Sequence, residues 1–429
     1  MGTRRSADIL LLWFLAVLAS SGLVAGPGRA EVAVPAQASA IDAEATAALL
    51  DGDGERTRFR LSLTKGVTAE IYTLSNPYRV IIDLPSVAFR LAEGTGRSGA
   101  GLVTAFRYGL FAEGKARVVL DAAGPVRINR AAMAASREEP GRQVLDVELI
   151  RVSPEEFGAG TGASRPSPAG SHAAAQSAAQ AILPGHDLKK ARTGKPVVVI
   201  DAGHGGIDGG AVGLGGQIEK TIVLAVAKEL EQQLRARGKT DVRLTRSGDV
   251  FMSLDRRLQV SREVGADLFI SLHADSLAEM QYAGVIRGAT VYTLSGKASN
   301  EEARRMAEKE NASDLLAGID TGSDEEGDEV KGILIDLMKR ETANFSRDFS
   351  NVLTPRLARA IPLQKDGQRS AAFKVLKQTH APSVLIELGY MSHPEDQRLL
   401  ASPAWQKKVA GTIADAIEAF FAKRATLAP

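Results

Sequence analysis

Three apolar segments of this chain end in a side chain capable of acid, base or ligand work: "VVVIDAGH" at His204, "LFISLH" at His273 and "SVLIE" at Glu387. A fourth group, Glu219 in "GQIEK", lies fifteen residues after His204 and opens an amphipathic period carried by Ile222, Val223, Val226, Leu230 and Leu234. Two imidazoles and one carboxylate make a three-ligand catalytic zinc site, with one position left for water or substrate. Zinc held this way polarises a carbonyl and lowers the pKa of bound water from about 15.7 towards roughly 7. A further carboxylate that does not bind the metal can carry the water's proton to a leaving nitrogen. That role is expected of Glu387, with His204, Glu219 and His273 as the ligands.

For these residues to meet, the elements that carry them must converge. From Pro196 to about Lys423 apolar strands (Val197–Ile200, Val242–Thr245, Leu268–Leu272, Thr290–Leu294, Val384–Glu387) alternate with helical periods (Lys220–Arg237, Leu254–Val264, Glu301–Lys309, Ile333–Leu357, Trp405–Phe421). This alternation predicts an α/β domain with a largely parallel central sheet flanked by helices. In such a sheet the carboxyl ends of the strands share one edge, and a helix following a strand begins on that edge. The intervening glycines, Gly205, Gly206, Gly209, Gly210, Gly213, Gly215 and Gly216, let a loop wrap closely around a small centre.

Each member alone has a blander reading. A histidine at a strand end is more often a hydrogen-bonded structural residue, and a glutamate at a helix start usually complements the helix dipole. Glu387 resists this treatment, because an acid ending an apolar run is costly to bury unpaired. Elimination narrows the histidines: His172 and His186 sit in a Gly/Ala/Ser/Pro-rich stretch, His393 in the turn "SHPED", and His380 in a loop before the last strand, where it could contact a ligand or the substrate.

The 429 residues, 44% hydrophobic, suffice for two globular domains. With 53 basic and 51 acidic residues the net charge is +2, so no charge bias points to nucleic acid. There is no cysteine, which excludes disulfides and restricts metal ligands to His, Asp and Glu. Arg4 and Arg5, the apolar run Ile9–Ala25 and the small residues around Arg29 predict a signal peptide over residues 1–30, hence export and no membrane span after cleavage. An uncleaved anchor is the alternative. Residues 41–152 read as a small all-β sandwich of six or seven strands, with "RVIIDL" and "RVVLDA" as near-duplicates whose Arg79, Asp83, Arg117 and Asp121 are expected on the polar faces of half-buried strands. Residues 157–195 read as a flexible linker with a span of roughly 35 Å, which leaves residues 196–424 as the catalytic domain. His-Glu-x-x-His, Walker and Gly-x-Ser-x-Gly motifs are absent, and "GHGGIDGGAVGLGG" lacks the Lys-Ser/Thr ending of a phosphate loop.

At "VVVIDAGHGGIDGGA", "GQIEK", "VRLTRSGD", "DLFISLHADS" and "PSVLIELGYMSHPED" the sequence resembles the zinc-dependent N-acetylmuramoyl-L-alanine amidases that cut bacterial peptidoglycan during cell separation. "NPYRVIIDLP" and "FRYGLFAEGKARVVLDA" resemble the AMIN domain that often precedes this catalytic domain and helps direct it to the septum. The resemblance implies the same ligands (His204, Glu219, His273), the same catalytic Glu387, zinc as cofactor, a periplasmic location, and hydrolysis of the amide between muramic acid and L-alanine. It also implies a protein activator and an inserted helix whose glutamate covers the zinc, for which Glu302, Glu308 and Glu310 in "NEEARRMAEKEN" are candidates. The competing readings are a zinc peptidase acting on the stem peptide and a non-catalytic peptidoglycan-binding protein.

Overall fold

Phe59, Leu61 and Leu63 alternate with polar residues along one strand, and all three side chains are buried. This period of two runs through the first part of the computed structural model, which describes residues 43–157, 194–276, 285–319, 332–378 and 380–427. The expected signal peptide, linker residues 158–193 and the acidic residues 320–331 lie outside the described residues.

Nine strands precede residue 157 among the described residues: β1 (Ala43–Gly52), β2 (Arg56–Leu63), β3 (Glu70–Leu74), β4 (Arg79–Pro85), β5 (Val87–Phe89), β6 (Val103–Ala112), β7 (Lys115–Ala122), β8 (Val126–Ala135) and β9 (Gln143–Arg151). They form a five-stranded sheet, β5-β1-β2-β9-β8, and a four-stranded sheet, β3-β4-β7-β6. Their shared core includes Phe59, Leu61, Val80, Ile82, Val118, Leu120, Leu145 and Val147. The all-β expectation therefore holds, with more strands than the sequence pattern suggests. The alanine-rich β1 and β8 carry little intrinsic strand preference, and pairing with β2 and β9 imposes their state.

The near-duplicates become antiparallel neighbours, with Arg79 opposite Asp121 and Asp83 opposite Arg117. The expected polar faces need correction. Arg79, Asp83 and Arg117 are almost wholly buried, because the outer face of this sheet is covered too. A strand buried on both faces reads as a continuous apolar run, which is how "RVIIDL" is written.

The second part is built on the sheet β11-β10-β12-β15-β13-β14. Its strands are β10 (Val197–Ala202), β11 (Asp241–Leu244), β12 (Leu268–His273), β13 (Ala289–Leu294), β14 (Leu363–Ala371) and β15 (Ser383–Glu387). All neighbouring pairs are parallel except β13 with β15. One face packs on α1 (Glu219–Arg237), α5 (Gly332–Ala360) and α7 (Pro403–Leu427) through residues such as Val226, Leu230, Phe349, Leu353, Ile413 and Phe420. The other packs on α2 (Leu254–Glu263) and α3 (Glu301–Asn311) through Leu254, Ala303, Met306 and Phe269. Short helices α4 (Ser313–Leu316) and α6 (Pro394–Leu400) complete the fold. The polar segment "LQKDGQRSA" of β14 escapes sequence reading because it lies at the sheet edge, where little of it is buried.

Strands β10, β12 and β15 lie side by side and run the same way, with His273 opposite Glu387. Their carboxyl ends form one edge. Among the described residues no helix is long and apolar enough to cross a membrane.

Candidate metal centre and active site

His204 stands two residues beyond β10 with φ of +56°, a left-handed conformation that a non-glycine residue adopts only when its surroundings compel it. The compulsion is visible: Arg257 Nη2 donates to the His204 carbonyl at 2.8 Å, and the amide of Gly205 donates to Asp208 O at 2.8 Å. Arg257 in turn pairs with the fully buried Asp201, which also accepts from Thr245 and Ser271 at 2.7 Å each. Burial opposes ionisation of Asp201, yet the Arg257 guanidinium and these two hydroxyls hold its carboxyl below the ordinary value. A buried ion pair thus locks the backbone that presents the imidazole.

Glu219 begins α1, where the preceding Ile218 supplies no capping side chain. Its carboxylate turns to the sheet edge instead. Glu219 Oε1 stands 3.2 Å from His204 Nε2 and 3.3 Å from His273 Nδ1, and it accepts from the Ala274 amide at 2.8 Å, while Oε2 accepts from Ala211 N at 2.8 Å. From α3, Glu310 Oε2 reaches the same nitrogens at 3.6 and 3.2 Å. The two rings are nearly perpendicular, with centroids 4.9 Å apart. His204, His273 and Glu310 form a buried set with spacing suited to a metal ion, and Glu219 borders the same point. His204 Nε2 and His273 Nδ1 are buried without a hydrogen-bond partner, as lone pairs awaiting a cation would be.

Sequence reasoning brought His204, Glu219, His273 and Glu387 to this edge, and the structure has all four there. Glu387 is fully buried; its Oε2 accepts from the Asp275 amide at 3.0 Å and its Oε1 has no hydrogen-bond partner. Burial first, then the neighbouring Asp275, Glu219 and Glu310, push its carboxyl well above the ordinary value. His380 and His393 lie elsewhere: His380 Nε2 contacts Ser261 Oγ at 3.3 Å, and His393 caps α6.

Several contributors went unread. Asp208 Oδ2 sits 2.8 Å from His204 Nδ1 and fixes the ring's orientation. Its signal was present, four residues after His204 within the glycine loop. Asp275, two residues after His273, carries the Lys309 ammonium that tethers α3. Arg257 has no local signature at all, since its role depends on how α2 packs under the loop.

The field at the centre favours positive charge. Burial would deprotonate His204, but Asp208, Glu219 and Glu310 together raise its pKa well above the ordinary value. Burial raises the Glu219 carboxyl, and His204 and His273 more than reverse this. Two glycines admit the donors this closely. A Cβ on Gly203 would lie 2.5 Å from His273 Cε1; one on Gly210, at φ +66°, would lie 2.6 Å from both Glu219 Oε2 and His204 Cδ2.

Comparison with known proteins decides the family. A family model described as N-acetylmuramoyl-L-alanine amidase matches residues 198–419, and an AMIN domain model matches residues 49–147. The chain is 39% identical over 240 residues to N-acetylmuramoyl-L-alanine amidase AmiA of Escherichia coli strain K12, covering 55% of this chain and 81% of that protein. It is 30% identical over 387 residues to AmiC of Escherichia coli O6:H1, covering 87% and 88% respectively. The chain belongs to the N-acetylmuramoyl-L-alanine amidases. Among solved structures, the catalytic domain of CwlV from Bacillus (Paenibacillus) polymyxa var. colistinus shares 30% identity, over 53% of this chain and 98% of that one, with a TM-score of 0.36.

In this amidase the segment α3–α4 lies over the centre, and only one of its three candidate glutamates faces it. Glu302 pairs with Arg369 at 2.9 Å, Glu308 pairs with Arg304 on the surface, and Glu310 points at the imidazoles. The segment continues into Asp314, whose carboxylate accepts from the Leu254 amide at 3.0 Å. Burial, with a smaller push from Asp255 and against the pull of that amide, Arg257 and Lys374, raises the Asp314 pKa from 3.8 to about 6.

Because the folded protein holds the Asp314 proton more tightly than the unfolded chain, its stability falls as pH rises from about 4 through 6. Asp314→Asn keeps an acceptor without the charge, so its stability relative to the parent should improve by about 2 kcal/mol between pH 4.5 and 7.5 in paired denaturation curves. A constant difference would refute this. Gly210→Ala should lower the divalent metal content of the purified amidase several-fold, measured by elemental analysis. Gly248→Ala, where a Cβ meets nothing within 4 Å, should leave it unchanged.

Proposed function

We propose that this amidase is an exported zinc hydrolase of peptidoglycan, acting in wall turnover and daughter-cell separation, and that Glu310 holds it inactive until an activator displaces α3. The observation that carries the zinc assignment is the donor geometry. Ligands at about 2.0–2.1 Å from a tetrahedral ion stand about 3.3 Å from one another, and the four contacts from Glu219 and Glu310 to the two imidazoles measure 3.2, 3.3, 3.6 and 3.2 Å. An all-nitrogen-and-oxygen set with two imidazoles suits zinc better than calcium or magnesium.

In this reading His204, Glu219 and His273 hold the ion, and Asp208 keeps the His204 ring turned so that Nε2 faces it. Bound there, zinc supplies an activated water and polarises the scissile carbonyl. Glu387 Oε1, free of hydrogen bonds within the protein and beside the same edge, takes the water's proton and returns it to the L-alanine nitrogen as the amide bond breaks. Glu310 Oε2 reaches the same two imidazole nitrogens as Glu219, which supports its assignment as the occluding group. The Lys309–Asp275 ion pair holds the helix that bears it. Export rests on the predicted signal peptide, and septal targeting on the AMIN match.

Digestion of purified sacculi tests the reaction. The amidase should release whole stem peptides with a free L-alanine amino terminus; retention of alanine on the sugar would mark a peptidase instead. Glu387→Gln should lower turnover by about 10²–10⁴-fold while retaining metal, and unchanged turnover would remove Glu387 from the chemistry. Glu310→Ala should raise basal turnover at least about tenfold without activator; no increase in a metal-loaded variant would refute occlusion.

A further inference from the structure

The outer face of the four-stranded AMIN sheet does not look onto solvent; it grips the end of the segment that carries Glu310. Arg79 Nη1 donates to the Leu315 carbonyl. Arg117 Nη1 donates to the carbonyls of Ala317 at 2.9 Å and Gly318 at 3.2 Å. Leu315 lies in the last turn of α4, and Ala317 and Gly318 follow its end. Arg117 is itself fixed: its guanidinium donates to Asp83 at 2.6 and 2.9 Å and to Tyr72 Oη at 3.1 Å, and lies 3.4 Å from the centre of the Phe111 ring. Between the arginines the contact is apolar. Ala317 packs in one buried cluster with Tyr72, Leu74, Ile81 and Val119 of the AMIN sheet and with Ile207 and Phe251 of the catalytic domain.

The same sheet reaches the loop that bears the metal-facing residues. Leu110 O accepts from Phe251 N at 3.1 Å and from Ile207 N at 3.3 Å, one residue before Asp208. Phe111 stacks on Phe251 with centroids 5.6 Å apart and planes 9° apart. Backbones approach so closely that a Cβ on Gly109 would lie 2.5 Å from the Gly206 carbonyl carbon. One surface thus holds both the loop below the centre and the segment above it.

We propose that this sheet is an intramolecular latch whose partner is residues 315–318 of its own chain: docking stabilises the state with Glu310 inserted, so Glu310 leaves only as the AMIN sheet undocks. The inference rests on the occlusion reading of Glu310. It adds a second domain to the energetics of release, since α4 continues directly from the helix bearing Glu310, and Leu316 N donates to Ala312 O at 2.9 Å across the junction. Arg117 and Asp83 are almost wholly buried at this contact, and two arginines aimed at three carbonyls recognise that one segment end rather than apolar surface in general.

The test uses the full chain carrying Arg79→Ala with Phe111→Glu, neither of which belongs to the AMIN core. Hydrogen exchange of the amides in residues 301–318, in metal-free and zinc-loaded protein, should accelerate about tenfold, and basal release of stem peptides should rise about tenfold towards the Glu310→Ala level. Combining the three substitutions should add little to Glu310→Ala alone. If exchange and hydrolysis match the parent while Glu310→Ala is active, the latch is refuted and occlusion stands. Faster exchange with no added hydrolysis, against an active Glu310→Ala, refutes the coupling. Faster exchange with Glu310→Ala equally inactive keeps the latch and refutes occlusion. Should exchange in β2 and β9 report a disturbed AMIN core, Phe251→Ala repeats the test from the other side of the aromatic stack.

Discussion

Two imidazoles and the carboxylates of Asp208, Glu219, Asp275, Glu310 and Glu387 crowd into a space from which water is nearly excluded, and this concentration of buried negative charge governs everything around it. Such groups are tolerated only if paired, hydrogen-bonded or neutralised. The fold applies each remedy in turn. Backbone amides of Ala211 and Ala274 satisfy Glu219, the amide of Asp275 satisfies one oxygen of Glu387, and Lys309 pairs with Asp275. What remains unanswered, the facing lone pairs of His204 and His273 with Glu310 beside them, has the character of a cation site.

That centre would be useless if it could relax, and the surrounding structure resists relaxation. The left-handed backbone at His204 is held by Arg257, which is anchored by Asp201, which is clamped by Thr245 and Ser271. Arg246 binds the carbonyls of Ala202, Gly203 and Lys220, joining the end of β10 to the start of α1. Burial, then repulsion from Arg257, brings the Arg246 pKa down to about 10, a cost offset by the three carbonyls that the guanidinium gathers. The candidate ligands are positioned by buried charge networks as much as by strand geometry.

The proposed latch extends the same principle between domains. Arg117 and Asp83 form a buried ion pair, and the remaining Arg117 donors include one spent on the carbonyls of Ala317 and Gly318 just past α4. A surface built this way is selective, because undocking returns both charges to water at little loss, whereas docking a segment without matching carbonyls would strand them. It also gives the chain, which lacks cysteine and so any disulfide, a reversible way to hold two domains around one centre.

Much of this amidase was legible from its sequence. Apolar runs ending in His204, His273 and Glu387 declare themselves as parallel strands with a shared edge, because burial on both faces demands continuous hydrophobicity and an acid or imidazole interrupts it only for a reason. Glu219 was legible because its fifteen-residue offset matches a loop returning to a helix start on that edge. Which of three glutamates faces the centre was not, since Glu302, Glu308 and Glu310 share one helix and only its docking selects among them. Nor could local pattern distinguish Arg79, Asp83 and Arg117 from ordinary surface charges; the carbonyls that the two arginines bind belong to a segment some two hundred residues distant in the chain. Local periodicity encodes which residues an element buries, whereas the partner that covers a polar face is fixed only when separate elements meet, so the candidate chemistry was written in the sequence and the packing around it in the tertiary contacts.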